Sequence, residues 1–373
     1  MAEPDAGAVD VADEADLDGE GGADDDPPRD ASGDTGEGSD FGRDTGESGD
    51  TDGDAGDLGG DDVDTQPDAA DADIDADDAR DAEETGPDGG DGYDPSGDGP
   101  FEVVVETGQV VRDGRTIPVS VHGPRDQVQR PVVVLLPGFQ LESRRYVALA
   151  DFVASHGFIV VRADPPGGLF DASHTAMADD VSAVIDWLVS ELGERIDTAA
   201  ITAAGHSMGG KLSFMVAHRD PRVRAVFAID PVNAGSPFGY SPTLPDIVPD
   251  EVEGLAIPIG VVGETLDAAA DFGPACAPEG MNYVTLTDAA VAATWLTEWT
   301  FTGAAHMDFV ADKTGCGFVC SACRDGDADE EVVRAGVATL LVAFLRLQFG
   351  ADTSMDAWLR GDALPSGVVV RVP

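Results

Sequence analysis

The 373-residue chain has few basic side chains, few aromatic residues and no long uninterrupted apolar run. Against 73 Asp+Glu it carries 21 Lys+Arg, and Lys211 and Lys313 are its only lysines, for a formal charge of −52. Nucleic acids and anionic membrane surfaces are recognised by clustered Lys and Arg, so neither is expected as a partner. No apolar run approaches the roughly 20 residues that cross a bilayer, so no membrane span is expected. Met1–Asp10 offers neither the basic segment nor the apolar stretch of a secretory signal. The chain reads as a soluble monomer.

The charge that is present is unevenly placed. Residues 1–100 hold 37 acidic and three basic side chains, which leaves 36 and 18 for the remaining 273 residues. A segment built from Asp, Gly, Ala, Ser, Thr and Pro buries too little apolar surface to offset the entropy of ordering it, so residues 1–98 are expected to form a disordered acidic arm. DTGEGSDFGR at 34–43 is followed by the near-repeat DTGESGDTDG at 44–53, which suits a spacer or stalk. The alternating acids of DADIDADDARDAEE (71–84) resemble a calcium loop, but Ala76 stands where the turn needs Gly and Ala82 where a bidentate Glu is needed.

Residues 99–373 are expected to form a single α/β domain, a mostly parallel sheet with helices on both faces, because apolar runs alternate with helical patterns from residue 101 onward. Residues 101–122 read as a hairpin turning at Asp113–Gly114. Strands follow at 131–139, 158–164, 224–230, 257–264 and 294–301, helices at 144–157, 175–192 and about 329–349, and residues 199–219 run strand, sharp turn, helix. Between residues 205 and 210 the sequence GHSMGG fits G-x-S-x-G, placed between a buried strand and a helix, where a tight turn would raise Ser207 as a nucleophile.

A serine hydroxyl needs a base and its tetrahedral intermediate needs donors. The N–H of Met208 is one expected oxyanion donor, and that of Phe139, in the loop after PVVVLLPG, is the other; Gln140 beside it is a candidate substrate contact. His306, just after the strand TWLTEWTF, is the expected base, while His206 and His218 are assigned packing and helix-end roles. Two aspartates compete for the acid: Asp230, ending RAVFAID, and Asp267, after IPIGVVGETL. Periodicity does not choose between them. The Pro-, Gly- and Ser-rich stretch 231–256, with Phe238 and Tyr240, is a candidate substrate wall.

Several segments together resemble the chlorophyllase family of α/β-hydrolases and its cutinase-like polyester-hydrolase relatives. They are LLPGFQLESRRYVALADFVASHGFIVV, GHSMGGKLSFMVA, AIDPVNAG, CAPEGMN (276–282), AHMDFVAD (305–312) and the Cys-rich stretch before LLVAFL. The resemblance covers about residues 130–349 and implies an α/β-hydrolase fold with Ser207, His306 and Asp230 as the catalytic triad; the cutinase-like branch would place the acid at Asp267. Met208 stands where plant chlorophyllases carry Arg, and Ala305 where Gly usually precedes the family His, which shifts the expected substrate from chlorophyll to apolar carboxylic esters generally.

The spacing of Cys316, Cys320 and Cys323 fits a zinc site completed by Cys276 or a histidine, two disulfides, or free thiols. The family resemblance favours disulfides around His306, and with them an extracellular or cell-surface location; the cytoplasm is the alternative. Neither a metal nor a cofactor is expected. The expected function is a serine esterase acting through an acyl-enzyme on a small-molecule or polymeric ester. A cutinase-like polyester or triacylglycerol hydrolase is the alternative, and an inactive surface-displayed binding module is the alternative from another class.

Overall fold

The computed structural model describes residues 92–125, 128–168, 171–235, 239–268 and 276–373. Residues 1–91, with the repeat and the acidic calcium-like stretch, lie outside the described residues. Residues 92–98, assigned to the arm by composition, pack on the domain. His156 Nε2 donates to Gly97 O at 3.0 Å, which leaves Nδ1 to accept from the Tyr93 hydroxyl, and the Arg346 guanidinium stacks 3.4 Å from the Tyr93 ring centroid. Half-buried Tyr93 and buried Pro95 bring this otherwise polar segment onto the domain.

Strands β1 (Val103–Arg112) and β2 (Arg115–Pro124) form the expected hairpin, with Arg112 paired to Arg115. Asp113 and Gly114 have φ of 49° and 77°, the positive pair a two-residue I′ turn requires. The remaining strands are β3 (Arg130–Leu136), β4 (Ile159–Ala163), β5 (Ile196–His206), β6 (Val223–Ile229), β7 (Pro258–Glu264), β8 (Trp295–Phe301) and β9 (Val368–Arg371). They make one sheet in the order β1-β2-β4-β3-β5-β6-β7-β8-β9. The stretch from β4 to β8 is parallel, and the hairpin and β9 add antiparallel edges.

Parallel strands need crossovers; among the described residues every one but the β6–β7 connection carries a helix, and these helices bury both faces of the sheet. Successive strand side chains alternate between faces, so Val132, Val134 and Leu136 of β3 join one core while Val133 and Leu135 join the other. The first core is closed by α2 (His174–Leu192), α3 (Met208–Arg219) and α4 (Tyr283–Ala289), the second by α1 (Val147–Ser155), α6 (Glu330–Phe349) and α7 (Asp356–Leu359), with the one-turn α5 (Phe318–Ser321) between α4 and α6 in sequence. Ser173 caps α2 by accepting from Ala176 N, and Asp329 caps α6 by accepting from Glu331 N at 2.9 Å. Among the described residues α6 alone is long and apolar enough to cross a membrane, yet two thirds of it is buried in the second core through residues such as Val337, Leu341 and Phe344.

The expected strands and long helices occur within a few residues of their sequence positions. The helix read at 144–157 opens as a 3-10 turn over Ser143–Tyr146 before α1 begins. Strand β9 and the short α4, α5 and α7 were not expected, because a four-residue strand and helices of at most about two turns carry too little periodicity to be read. The C-terminal ends of β3, β5, β6, β7 and β8 share one edge of the sheet, and every candidate site residue follows one of them.

Candidate active site

Strand β5 ends at His206 and α3 begins at Met208, so a single residue makes the turn between them. That residue, Ser207, has φ 56° and ψ −119°, a conformation L-residues rarely adopt. Surrounding bonds hold it there: Ser207 N donates to Ile229 O at 3.0 Å, while Ser207 O accepts from Lys211 N at 3.1 Å and Val232 N at 3.2 Å. The flanking glycines are required by space. A Cβ on Gly205 would run into the backbone of Gly209, and a Cβ on Gly209 into the carbonyl of Leu136.

His306 opens a 3-10 turn after β8 and is buried at 3% exposure. Its Nε2 lies 2.9 Å from Ser207 Oγ and its Nδ1 lies 2.6 Å from Asp230 Oδ2. Asp230 follows β6, is fully buried, and is anchored by donation from its own N–H to Val262 O at 2.8 Å. Burial pushes its carboxyl upward, opposed by the bond to His306. Asp267 is also fully buried but points to other partners. Its Oδ1 is 3.2 Å from Arg324 Nε, and its Oδ2 accepts from Cys276 N at 3.2 Å.

The loop after β3 reaches Ser207 directly, since a Cβ on Gly138 would lie 3.3 Å from Ser207 Cβ. Phe139, next in sequence, is exposed, and Met208 opens α3 with its side chain buried. Gln140 has φ 56° and its side-chain amide donates to Gly167 O at 3.2 Å, which ties this loop to the one after β4. Tyr240 donates to Asn233 O at 2.7 Å. Phe238 lies outside the described residues. The 231–256 segment is pinned to the elbow helix by Lys211, fully buried, whose ammonium donates to Ala234 O at 2.8 Å and to Pro245 O. Burial pulls Lys211 down to about 8.

All four thiols are taken up in disulfides, Cys276–Cys323 and Cys316–Cys320. The zinc arrangement is thereby excluded for these cysteines. Cys276–Cys323 joins the segment after β7 to the one that follows His306. Of the other histidines, His218 is exposed at the end of α3, and His122 lies between Asp151 and Arg162 at 2.6 and 2.8 Å.

Glu264, the last residue of β7, was not singled out in the sequence, although a lone carboxylate ending an apolar parallel strand is a usable signal. It is fully buried and accepts from Asp267 N at 2.7 Å and Ala268 N at 2.9 Å. Burial first, and Asp230 second, push its carboxyl up to about 8 from an ordinary 4.5. A group whose folded pKa is raised stabilises fully below its unfolded pKa and loses that contribution as pH rises through the folded value. Wild-type stability should therefore fall between about pH 5 and pH 9, on top of any other titrations. Glu264→Gln starts lower, because its NH₂ cannot accept an N–H, but lacks this slope. Thermal unfolding of both proteins across that range checks it, and parallel curves would refute it.

Residues 99–363 match the family model described as Chlorophyllase. Chlorophyllase-1 of Arabidopsis thaliana is 32% identical over 256 residues, which cover 61% of this chain and 75% of that protein. The chloroplastic Chlorophyllase-1 of Citrus unshiu is 27% identical over 248 residues, 63% of this chain and 73% of its own. Cutinase 2 of Thermobifida cellulosilytica is 26% identical over 116 residues, 30% of this chain and 44% of its own.

Proposed function

The chain belongs to the chlorophyllase family of carboxylic-ester hydrolases, and from that premise we propose that it is a serine esterase working through Ser207, His306 and Asp230 on apolar esters. The observation that carries this reading is the continuous array Asp230 Oδ2, His306 Nδ1, His306 Nε2, Ser207 Oγ, with links of 2.6 and 2.9 Å. His306 Nε2 takes the serine proton as Oγ attacks the ester carbonyl, and Asp230 holds Nδ1–H and stabilises the imidazolium. The N–H groups of Met208 and Phe139 receive the oxyanion; Met208 N opens helix α3, whose dipole adds to the donation. Collapse expels the alcohol with the proton from Nε2. Water then attacks the acyl-enzyme by the same route in reverse and releases the acid.

Met208 in place of the Arg of plant chlorophyllases supports esters broader than chlorophyll, polyesters included. The two disulfides support an oxidising, extracellular or cell-surface location. A fluorophosphonate probe should label the full chain at one residue, Ser207, located by peptide mass, with turnover of p-nitrophenyl esters from acetate to palmitate lost in proportion. A folded, oxidised protein that neither labels nor turns over any ester would return the binding-module reading.

A further inference from the structure

Beside the catalytic array runs a second buried chain of hydrogen bonds. Gly138 N donates to Tyr146 Oη at 3.3 Å, Tyr146 Oη lies 2.8 Å from His206 Nδ1, and His206 Nε2 lies 3.0 Å from His306 O. Tyr146 and His206 are 2% and 0% exposed, so these groups have no exchange with bulk water to fall back on.

Donor accounting gives every bond in this chain one direction. The His306 carbonyl can only accept, so His206 Nε2 carries a proton and donates. Burial first, and His306 second, hold the His206 pKa well below its ordinary value, so Nδ1 is a bare lone pair. Tyr146 O–H must then donate to Nδ1, which leaves its oxygen lone pairs for Gly138 N–H. The tautomer of His206 follows from its partners and not from its own chemistry.

The two ends of the chain are functional loops. Gly138 precedes Phe139 in the loop that touches Ser207, and its own carbonyl closes that loop by accepting from Leu141 N at 3.1 Å. His306 bears the base. Between them stands His206, the covalent neighbour of Ser207, with its ring centroid 4.6 Å from that of His306. We propose that Tyr146 and His206 are positioning residues, a one-directional hydrogen-bond relay that fixes the oxyanion loop and the backbone of the base in register across the nucleophile. The catalytic function assigned to the relay rests on the serine-esterase reading; its bonding pattern does not.

Tyr146→Phe removes one oxygen with almost no change of volume and leaves Gly138 N–H and His206 Nδ1 without partners. Measured on the full chain with p-nitrophenyl butyrate and normalised to active sites titrated with a phosphonate, kcat should fall roughly 10-fold while KM stays within about twofold, since only alignment for the transition state is lost. A merely structural residue would lower the titrated fraction and leave kcat per site unchanged, and that result would overturn the proposal. In a cycle with His206→Asn, the double variant should be no worse than His206→Asn alone; effects that multiply would mean the two residues act independently and would also overturn it. Long-range ¹H–¹⁵N correlation of the wild-type protein decides the bonding pattern without reference to activity. His206 should stay in the Nε2–H tautomer from about pH 5 to pH 8, with an Nδ1 shift that moves in Tyr146→Phe. An Nδ1–H tautomer or a doubly protonated ring sinks the relay even in an active enzyme. Absence of any esterase activity beside the expected tautomer would sink the catalytic role assigned to the relay together with the esterase reading and leave the bonding pattern standing.

Discussion

Ser207→Ala is expected to leave a folded protein whose ester turnover is lower by on the order of 10⁶-fold. The change removes a single oxygen, and alanine is no larger than the residue it replaces, so the elbow keeps its packing. What it cannot keep is the covalent path: without Oγ no acyl-enzyme forms, and the remaining oxyanion donors can only assist direct attack by water. The backbone cost is small, because the bonds to Ile229, Lys211 and Val232 that hold residue 207 at positive φ all come from main-chain atoms. Thermal unfolding together with p-nitrophenyl ester kinetics checks both halves. A folded variant that retained more than about a thousandth of wild-type turnover would move the nucleophile elsewhere.

Asp230→Asn should cost roughly 10⁴-fold in kcat, while Asp267→Asn should change kcat per active site by no more than a few fold. Both aspartates are buried, so both variants disturb a charged group, but they disturb different ones. Asparagine at 230 offers His306 Nδ1 either a weaker acceptor or an NH₂ that turns the imidazole to the wrong tautomer, and the imidazolium formed during attack loses its counter-charge. Asparagine at 267 breaks the ion pair to Arg324, and the expected loss is stability, seen as a lower Tm, because a fully buried carboxylate's charge contact with a guanidinium is lost. Kinetics per titrated site separate the two. If Asp267→Asn were the more damaging, the acid would act from the end of β7.

Much of this was legible before any coordinates. Parallel strands buried on both faces need continuous apolar runs, and PVVVLL, FIVV and RAVFAI supply them, while Asp113–Gly114 announces the only kind of turn that joins β1 to β2 so tightly. The elbow is readable in part for a local reason: Gly205 is demanded by the backbone of Gly209 four residues on, inside the motif, whereas Gly209 is demanded by Leu136 of the adjacent strand β3. His306, the proposed base, was expected from chain order, on the loop after β8. Tyr146 left no trace, because a tyrosine in RRYVALADF looks like any helix-facing aromatic until His206 is placed against it.

The sequence by itself determined the strand-elbow-helix, the alternation that makes the sheet, and the residue types available for chemistry at its C-terminal edge. Each depends on contacts between residues near in sequence or on a periodicity of two or 3.6. Local pattern left open which aspartate meets His306, where the family resemblance implied Asp230 and the tertiary structure brings Asp230 to it; tertiary structure alone decided how four cysteines pair and what orients His206. Asp230 directly follows β6 and Asp267 lies three residues after the neighbouring strand β7, and they part company in their partners: His306 meets Asp230, while Arg324, 57 residues further along the chain from Asp267, arrives beside Asp267. No local pattern encodes an ion pair made across that distance; it exists only once the sheet has brought the ends of β6, β7 and β8 together.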